Sequence, residues 1–218
     1  MNTITLSTSS GDAFGAYGTL GNFYEESLAA IPDNRRPARQ NDPVEVLDFG
    51  TGENGVSRII FQSILTNRGR LALFDKPDVP IHFPRDAHVR IAQAHEVYGY
   101  PMPPFDLVNL SYVLCCLGNE DPALTLLLLQ EYHRRALFSV VDYTMRGRSR
   151  EETLALLNSA SERRWQKRMG EDAFVAARTR HTADSLRSLL EDASFDIMQQ
   201  ESLDSLGLRT AFLLQSRA

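Results

Sequence analysis

The 218-residue sequence predicts an α/β fold: a mostly parallel sheet of seven strands, the last antiparallel, with helices on both faces. Three observations carry that expectation. From Val44 onward, short apolar runs alternate with helical patterns, which is the mark of βαβ units. The first run ends in a glycine-rich bend that opens a helix, "VEVLDFGTGENGVSRIIF". The last two runs, "FDIMQQES" and "LRTAFLLQS", are separated only by "LDSLG", a spacing that fits a hairpin.

The elements follow in order. "DAFGAYGTLGNFYEESLAAI" reads as an aromatic-rich helix, closed by the polar, proline-containing linker "PDNRRPARQNDP". Residues 1–42 are therefore expected to form an N-terminal helical cap, and 43–218 the main domain. The strands are "VEVLDF", "RLALFD", "HVRIAQA", "FDLVNLS", "ALFSVVDY" and the two of the hairpin. The helix after the first strand places Val56, Ile59, Ile60 and Ile64 on one face. "KPDVPIHFPRDA" holds three prolines, so the connection after the second strand is expected to be short or irregular. Asp121 caps a helix whose first turn holds Pro122. Residues 149–180 read as a polar helical insertion. A helix capped by Thr182 follows, with Leu186, Leu189 and Leu190 facing inward.

Composition narrows the function classes. With 43% hydrophobic and 23% charged residues, wholesale disorder is excluded. A net charge of -5 argues against broad nucleic-acid binding, which needs a basic face. The run "RRWQKR", with Trp165 inside it, has the aromatic-basic look of a local nucleic-acid contact, or is simply a solvated face. The longest apolar stretch, "ALTLLLL", is too short for a membrane helix, and the N-terminus lacks a signal-peptide pattern; the expectation is a cytoplasmic protein. The cysteines, Cys115 and Cys116, are adjacent and cannot staple distant segments. None of the five histidines forms a pair at helical ligand spacing, so no metal site is expected.

The glycine bend is a ligand cradle. Glycines let the backbone turn sharply and admit a ligand closely, and the following helix start offers free N–H groups to an anionic group. Gly50, Gly52 and Gly55 fit the dinucleotide pattern literally, and Asp75 sits where a ribose-binding acid is expected. The residues alone thus permit NAD.

The acid before the glycines suggests another ligand. "VLDFGTGENG" resembles the first motif of class I S-adenosylmethionine (SAM)-dependent methyltransferases, with Asp48, Gly50 and Gly52 matching. The family's third glycine falls at Asn54, and Gly55 comes one residue late. "FDLVNLSYVLCCL" resembles the family's fourth-strand motif. "HTADSLRSLLEDASFDIM" resembles its late helix and sixth strand, with Ser194 where a glycine is usual. "LRTAFLLQS" stands where the family has its antiparallel seventh strand. The resemblance runs from Val44 to Ser216 and implies a Rossmann-like fold.

It also implies roles. Gly50, Thr51 and Gly52 would pass under the methionyl part of SAM, and Asp48 would orient its amino group, directly or through water. Asp75, followed by Lys76, would accept from the ribose hydroxyls. His95, with Glu96 beside it, stands where the family reads adenine. Asn109 and Ser111 would lie near the reacting methyl, and Tyr17 and Tyr24 in a segment that folds over the cofactor. Tyr143, His181 and Tyr112 are the candidate catalytic groups, because strand ends and the end of the insertion face the substrate mouth; each has a packing role as its alternative. Phe14, Tyr17, Phe23 and Tyr24 line a pocket or pack on the sheet. The implied function is methyl transfer from SAM, with S-adenosylhomocysteine (SAH) as product, to oxygen or nitrogen of a small molecule. The insertion would cap the substrate or form a homodimer face. An NAD-dependent oxidoreductase, a non-catalytic SAM-fold binding protein and an RNA methyltransferase are the rival readings.

Overall fold

The structure, a computed structural model, describes residues 11–32, 43–52, 56–65, 69–76, 79, 81, 88–98, 105–117 and 121–217, with side chains at all of these except 11–17, 58, 95 and 96. Seven strands form one sheet: β1 (Val44–Phe49), β2 (Gly69–Phe74), β3 (Val89–Ile91), β4 (Leu107–Ser111), β5 (Leu137–Tyr143), β6 (Phe195–Ser202) and β7 (Arg209–Ser216). Their order is β3-β2-β1-β4-β5-β7-β6. β1 pairs in parallel with β2 and β4, while β7 runs antiparallel to both β5 and β6. The sequence expectation of a mostly parallel sheet closed by an antiparallel last strand therefore holds.

The central strands are long enough in apolar residues to be covered on both faces, as parallel sheets require. β5 is buried along its whole length. On one face lie α4 (Pro122–Tyr132) and α8 (Ala183–Asp192), whose Leu126, Leu129, Leu186 and Leu190 pack with Phe138, Phe195 and Phe212. On the other lie α1 (Gly11–Ala29) and α2 (Val56–Leu65), bringing Leu20, Phe23, Tyr24, Phe61 and Leu65 onto Val46, Leu71 and Leu213. Each such aromatic or leucine contributes about 1.5–3 kcal/mol by leaving water. The first helix is thus built into the sheet's own core.

The helix caps form as the sequence predicts. Asp121 accepts from Ala123 N–H at 2.9 Å with Pro122 in the first turn, and Thr182 forms a reciprocal box with Ser185. One face differs from its expectation. Val56, Ile60 and Ile64 pack against the core as expected, whereas Ile59 is 57% exposed; Ser57, Phe61 and Leu65 are the buried described residues of α2. The connection after β2 falls mostly outside the described residues; a short α3 (Ala94–Tyr98) follows β3.

The insertion folds as α5 (Arg150–Leu156), α6 (Ala160–Met169) and α7 (Glu171–Arg178). It has its own apolar cluster, in which Leu157 and Phe174 meet Cys115, Tyr143, Met145 and Leu208. No described helix is long and apolar enough to cross a membrane.

Candidate functional site

In an open α/β sheet a ligand binds beyond the carboxyl ends of the strands, where the strand order reverses. Here that point lies between β1 and β4. β1 ends on Phe49, and Gly50 and Gly52 follow with φ of 71° and 68°. The bend is fastened to the end of β2: Gly50 N–H donates to Phe74 O at 2.7 Å and Thr51 N–H to the same oxygen at 3.2 Å. Gly52 N–H donates to Asp75 Oδ2 at 2.6 Å, and Lys76 N–H to Asp75 Oδ1 at 2.8 Å. A carboxylate has about four lone-pair sites. These two bonds thus orient Asp75 and leave it acceptor capacity for a vicinal diol. Thr51 is 4% exposed, and its hydroxyl has no partner among the described residues. Gly50 is also packed closely: a Cβ there would lie 2.6 Å from Val113 Cγ2. Asn54 and Gly55 lie outside the described residues.

Asp48 sits deep in the sheet. It is 1% exposed, accepting from Asn109 Nδ2 at 2.7 Å and from Ser57 Oγ at 3.0 Å. The β1–β4 register sets Asp48 against Asn109. Asn109 Oδ1 in turn accepts from Ser111 Oγ at 3.2 Å, and Ser111 Oγ bonds the Tyr24 hydroxyl. The chain Ser57–Asp48–Asn109–Ser111–Tyr24 ties α2, β1, β4 and α1 together directly behind the glycine bend. Tyr24 is fully buried and stacked on Phe61 at 4.3 Å, and burial pushes its phenol well above the usual range. It and Phe23 are core residues. Ser57 and the hydroxyl role of Tyr24 escape a reading of the sequence because only the folded registry brings them to Asp48.

At the end of β5 the candidate Tyr143 is enclosed by its neighbours. Tyr143 is 4% exposed and donates its hydroxyl to Glu162. Its ring lies against Tyr112 at 4.9 Å, with the Arg178 guanidinium 4.3 Å from its centroid and that of Arg209 5.5 Å. Burial raises its phenol well above the usual range. Asp142 is fully buried and accepts from Cys115 N–H at 2.9 Å and Tyr143 N–H at 2.7 Å, which fixes the turn after β4 onto β5. Arg178 also reaches Glu162 at 3.4 Å. Removing one partner of such a buried pair typically costs about 3–5 kcal/mol.

Tyr112 has φ of 61°, a left-handed conformation that side chains other than glycine rarely adopt. Such strain gathers at ligand clamps and active sites. His181 is 8% exposed, and its Nε2 has no partner among the described residues. Burial, then Arg180 and Arg146, push its imidazole down to about 4, so it is neutral at pH 7. His95 and Glu96 fall in α3 and Tyr17 in α1; their side chains lie outside the described set.

Trp165 is 37% exposed and lies beside the glycine bend. Its Cζ2 lies 3.9 Å from the position of a Cβ on Gly52, and Arg168 stacks on it at 5.5 Å. The insertion therefore reaches across to the glycine bend. Local sequence carries no signal for that contact. No group of three or more potential metal ligands occurs among the described residues.

No protein-family model matches the chain, and no curated protein matches it by sequence. Solved structures do. The chain is similar to LepI in its complex with SAM, at 11% identity, a TM-score of 0.58, and 88% of this chain against 46% of that one. It is similar to a structure described as a pericyclic reaction enzyme at 11% identity, a TM-score of 0.56 and 87% against 48%. It is similar to the plantazolicin methyltransferase BpumL in complex with a triazolic desmethylPZN analog and SAH, at 14% identity, a TM-score of 0.60 and 94% against 87%. The chain spans about half the length of the first two. At these identities the likeness shows the fold: the chain has the class I SAM-dependent methyltransferase fold.

Proposed function

We propose that this chain binds SAM at the glycine bend and transfers its methyl group to an oxygen or nitrogen of a small molecule. The observation that carries the reading is the Gly50–Asp75 corner. It joins two left-handed glycines, an oriented carboxylate with spare acceptor capacity and an orphan Thr51 hydroxyl at the strand-order reversal. These residues fit a ligand with a vicinal diol and an amino-acid tail. SAM supplies, when bound, a methyl already activated on a sulfonium.

The chain's own residues then have orientation to supply. Asp75 holds the ribose hydroxyls. Gly50, Thr51 and Gly52 pass beneath the methionyl part, and Lys76 flanks Asp75. Asp48 acts through Asn109 and Ser57, keeping the bend and the end of β4 in register. His95, Glu96 and Tyr17 complete the cofactor site. Tyr112 and His181 stand on the acceptor side, and the neutral His181 accepts a hydrogen bond from the incoming hydroxyl or amine. Trp165 and the insertion keep water out. Positioning of this kind is worth on the order of 7–11 kcal/mol in favourable systems.

The net charge of -5 and the insertion across the bend favour a small acceptor over RNA. The sheet weighs against NAD: dinucleotide folds extend β5 with a parallel strand, whereas here an antiparallel β7 stands beside β5. Calorimetric titration with SAH and with NAD tests the choice. Affinity for SAH and none for NAD is expected; NAD binding without SAH binding would overturn the proposal.

A further inference from the structure

We propose that Cys115 and Cys116 form a thiol-modification site, in which Cys116 reacts with hydroperoxides and Cys115 resolves it to an intrachain disulfide. The sulfurs lie 3.6 Å apart in the Leu114–Cys116 turn. Arg178 Nη1 is 3.8 Å from Cys116 Sγ and 3.9 Å from Cys115 Sγ. That guanidinium is a fixed cation, 3% exposed and stacked between Tyr143 and Phe174. Asp142 and Glu162 are the carboxylates packed on the same cluster, and each is already engaged, by Cys115 and Tyr143 N–H groups and by Arg178. Cys116 reaches the surface while Cys115 is buried, so only one thiol meets an oxidant first. The electrostatics separate them in the same sense. The hydrogen bond shared with Cys115 and the charge of Arg178 bring Cys116 down to about 7 despite its burial, whereas burial pushes Cys115 up.

The step balances with a hydroperoxide as oxidant. The Cys116 thiolate attacks the terminal peroxide oxygen, giving a sulfenic acid and an alcohol or water. The Cys115 thiol then displaces water, so two thiols lose two electrons and two protons. Adjacent Cα atoms are about 3.8 Å apart across a trans peptide, closer than ordinary disulfides allow. The ring is therefore strained and easily reduced. Its closure deforms the turn that follows Val113, the residue seated against Gly50. Oxidation should thereby loosen the glycine bend, a consequence that rests on the proposed cofactor site.

Peptide mapping tests the site on the intact chain. Hydrogen peroxide should remove two hydrogens from the Cys115–Cys116 peptide, reversibly by dithiothreitol. In Cys115→Ser a dimedone-trapped sulfenic acid should appear on Cys116 instead. Iodoacetamide should alkylate Cys116 with a midpoint near pH 7, roughly threefold faster at that pH than an ordinary thiol once its lower nucleophilicity is counted. Alkylation with a midpoint above about 8.5, or peroxide giving only a sulfinic acid, would overturn the proposal. Oxidised protein should bind SAH at least tenfold more weakly than reduced protein. Should the mapping succeed while neither form binds SAH, the thiol site stands and the cofactor reading fails.

Discussion

Gly50 is required twice over, by a φ of 71° and by Val113 pressed against the place a Cβ would occupy. Gly147 shares only the first constraint, with φ of 95° and open space around it. Gly147→Ala should therefore cost about 1 kcal/mol. Gly50→Ala should cost more than about 2 kcal/mol, because overpacking adds to the strain. Urea unfolding of both variants checks the difference, and equal losses would contradict it. Ser194 presents the reverse case. It stands where the resembled family has glycine, and it adopts φ of 64°. Its N–H donates to Glu191 O and its C=O accepts from Arg217 N–H and the Gln130 side chain, so every bond uses Ser194's own backbone, which glycine would keep. Ser194→Gly should stabilise the fold by about 0.5 kcal/mol, the strain relieved less the added chain entropy. A lower melting temperature would refute that account. His181 links the site to pH. Its folded value of about 4 lies below the ordinary 6.5, so between them the unfolded chain binds the extra proton. Its contribution is complete above pH 6.5 and fades as pH falls toward 4, by roughly 2 kcal/mol between pH 7 and 5. His133, lowered by burial, acts in the same direction. His181→Leu should thus shrink, not erase, the acid loss of stability; an unchanged loss would contradict the assignment.

Elements are the most legible level of the sequence. β6 and β7 lie on the runs read for them, because alternating or apolar runs bounded by turn residues leave little freedom of register. The caps at Asp121 and Thr182 are legible for the same local reason. What sequence does not supply is the partner of each face. Periodicity puts Ile59 inward, but the sheet selects Phe61. Strand-end position puts Tyr143 at the substrate mouth, but the insertion folds over it and takes its hydroxyl with Glu162. The same insertion brings Trp165, the chain's one tryptophan, to the glycine bend. Tryptophan emission should therefore change on saturation with SAH, and Trp165→Ala should weaken SAH by roughly tenfold, about 1.4 kcal/mol. Unaltered emission with SAH bound would place the insertion away from the cofactor.

The whole molecule joins two halves at one crevice. β1, β2 and β3 run out one way from it, and β4, β5, β7 and β6 the other. The buried Asp48–Asn109 bond closes the seam. The ordered motifs make the fold legible even though single motifs are off-pattern, whereas the acceptor side is not, since the walls proposed for it come from Tyr112, the insertion and His181, far apart in sequence. The central claim is that Asp75 grips a ribose diol beside the bend. Calorimetry with SAH on the wild type and on Asp75→Ala, each shown folded by circular dichroism, tests it most directly. Binding by the wild type and at least roughly 30-fold weaker binding by the variant, about 2 kcal/mol, are expected. Equal affinity in the two proteins would contradict it.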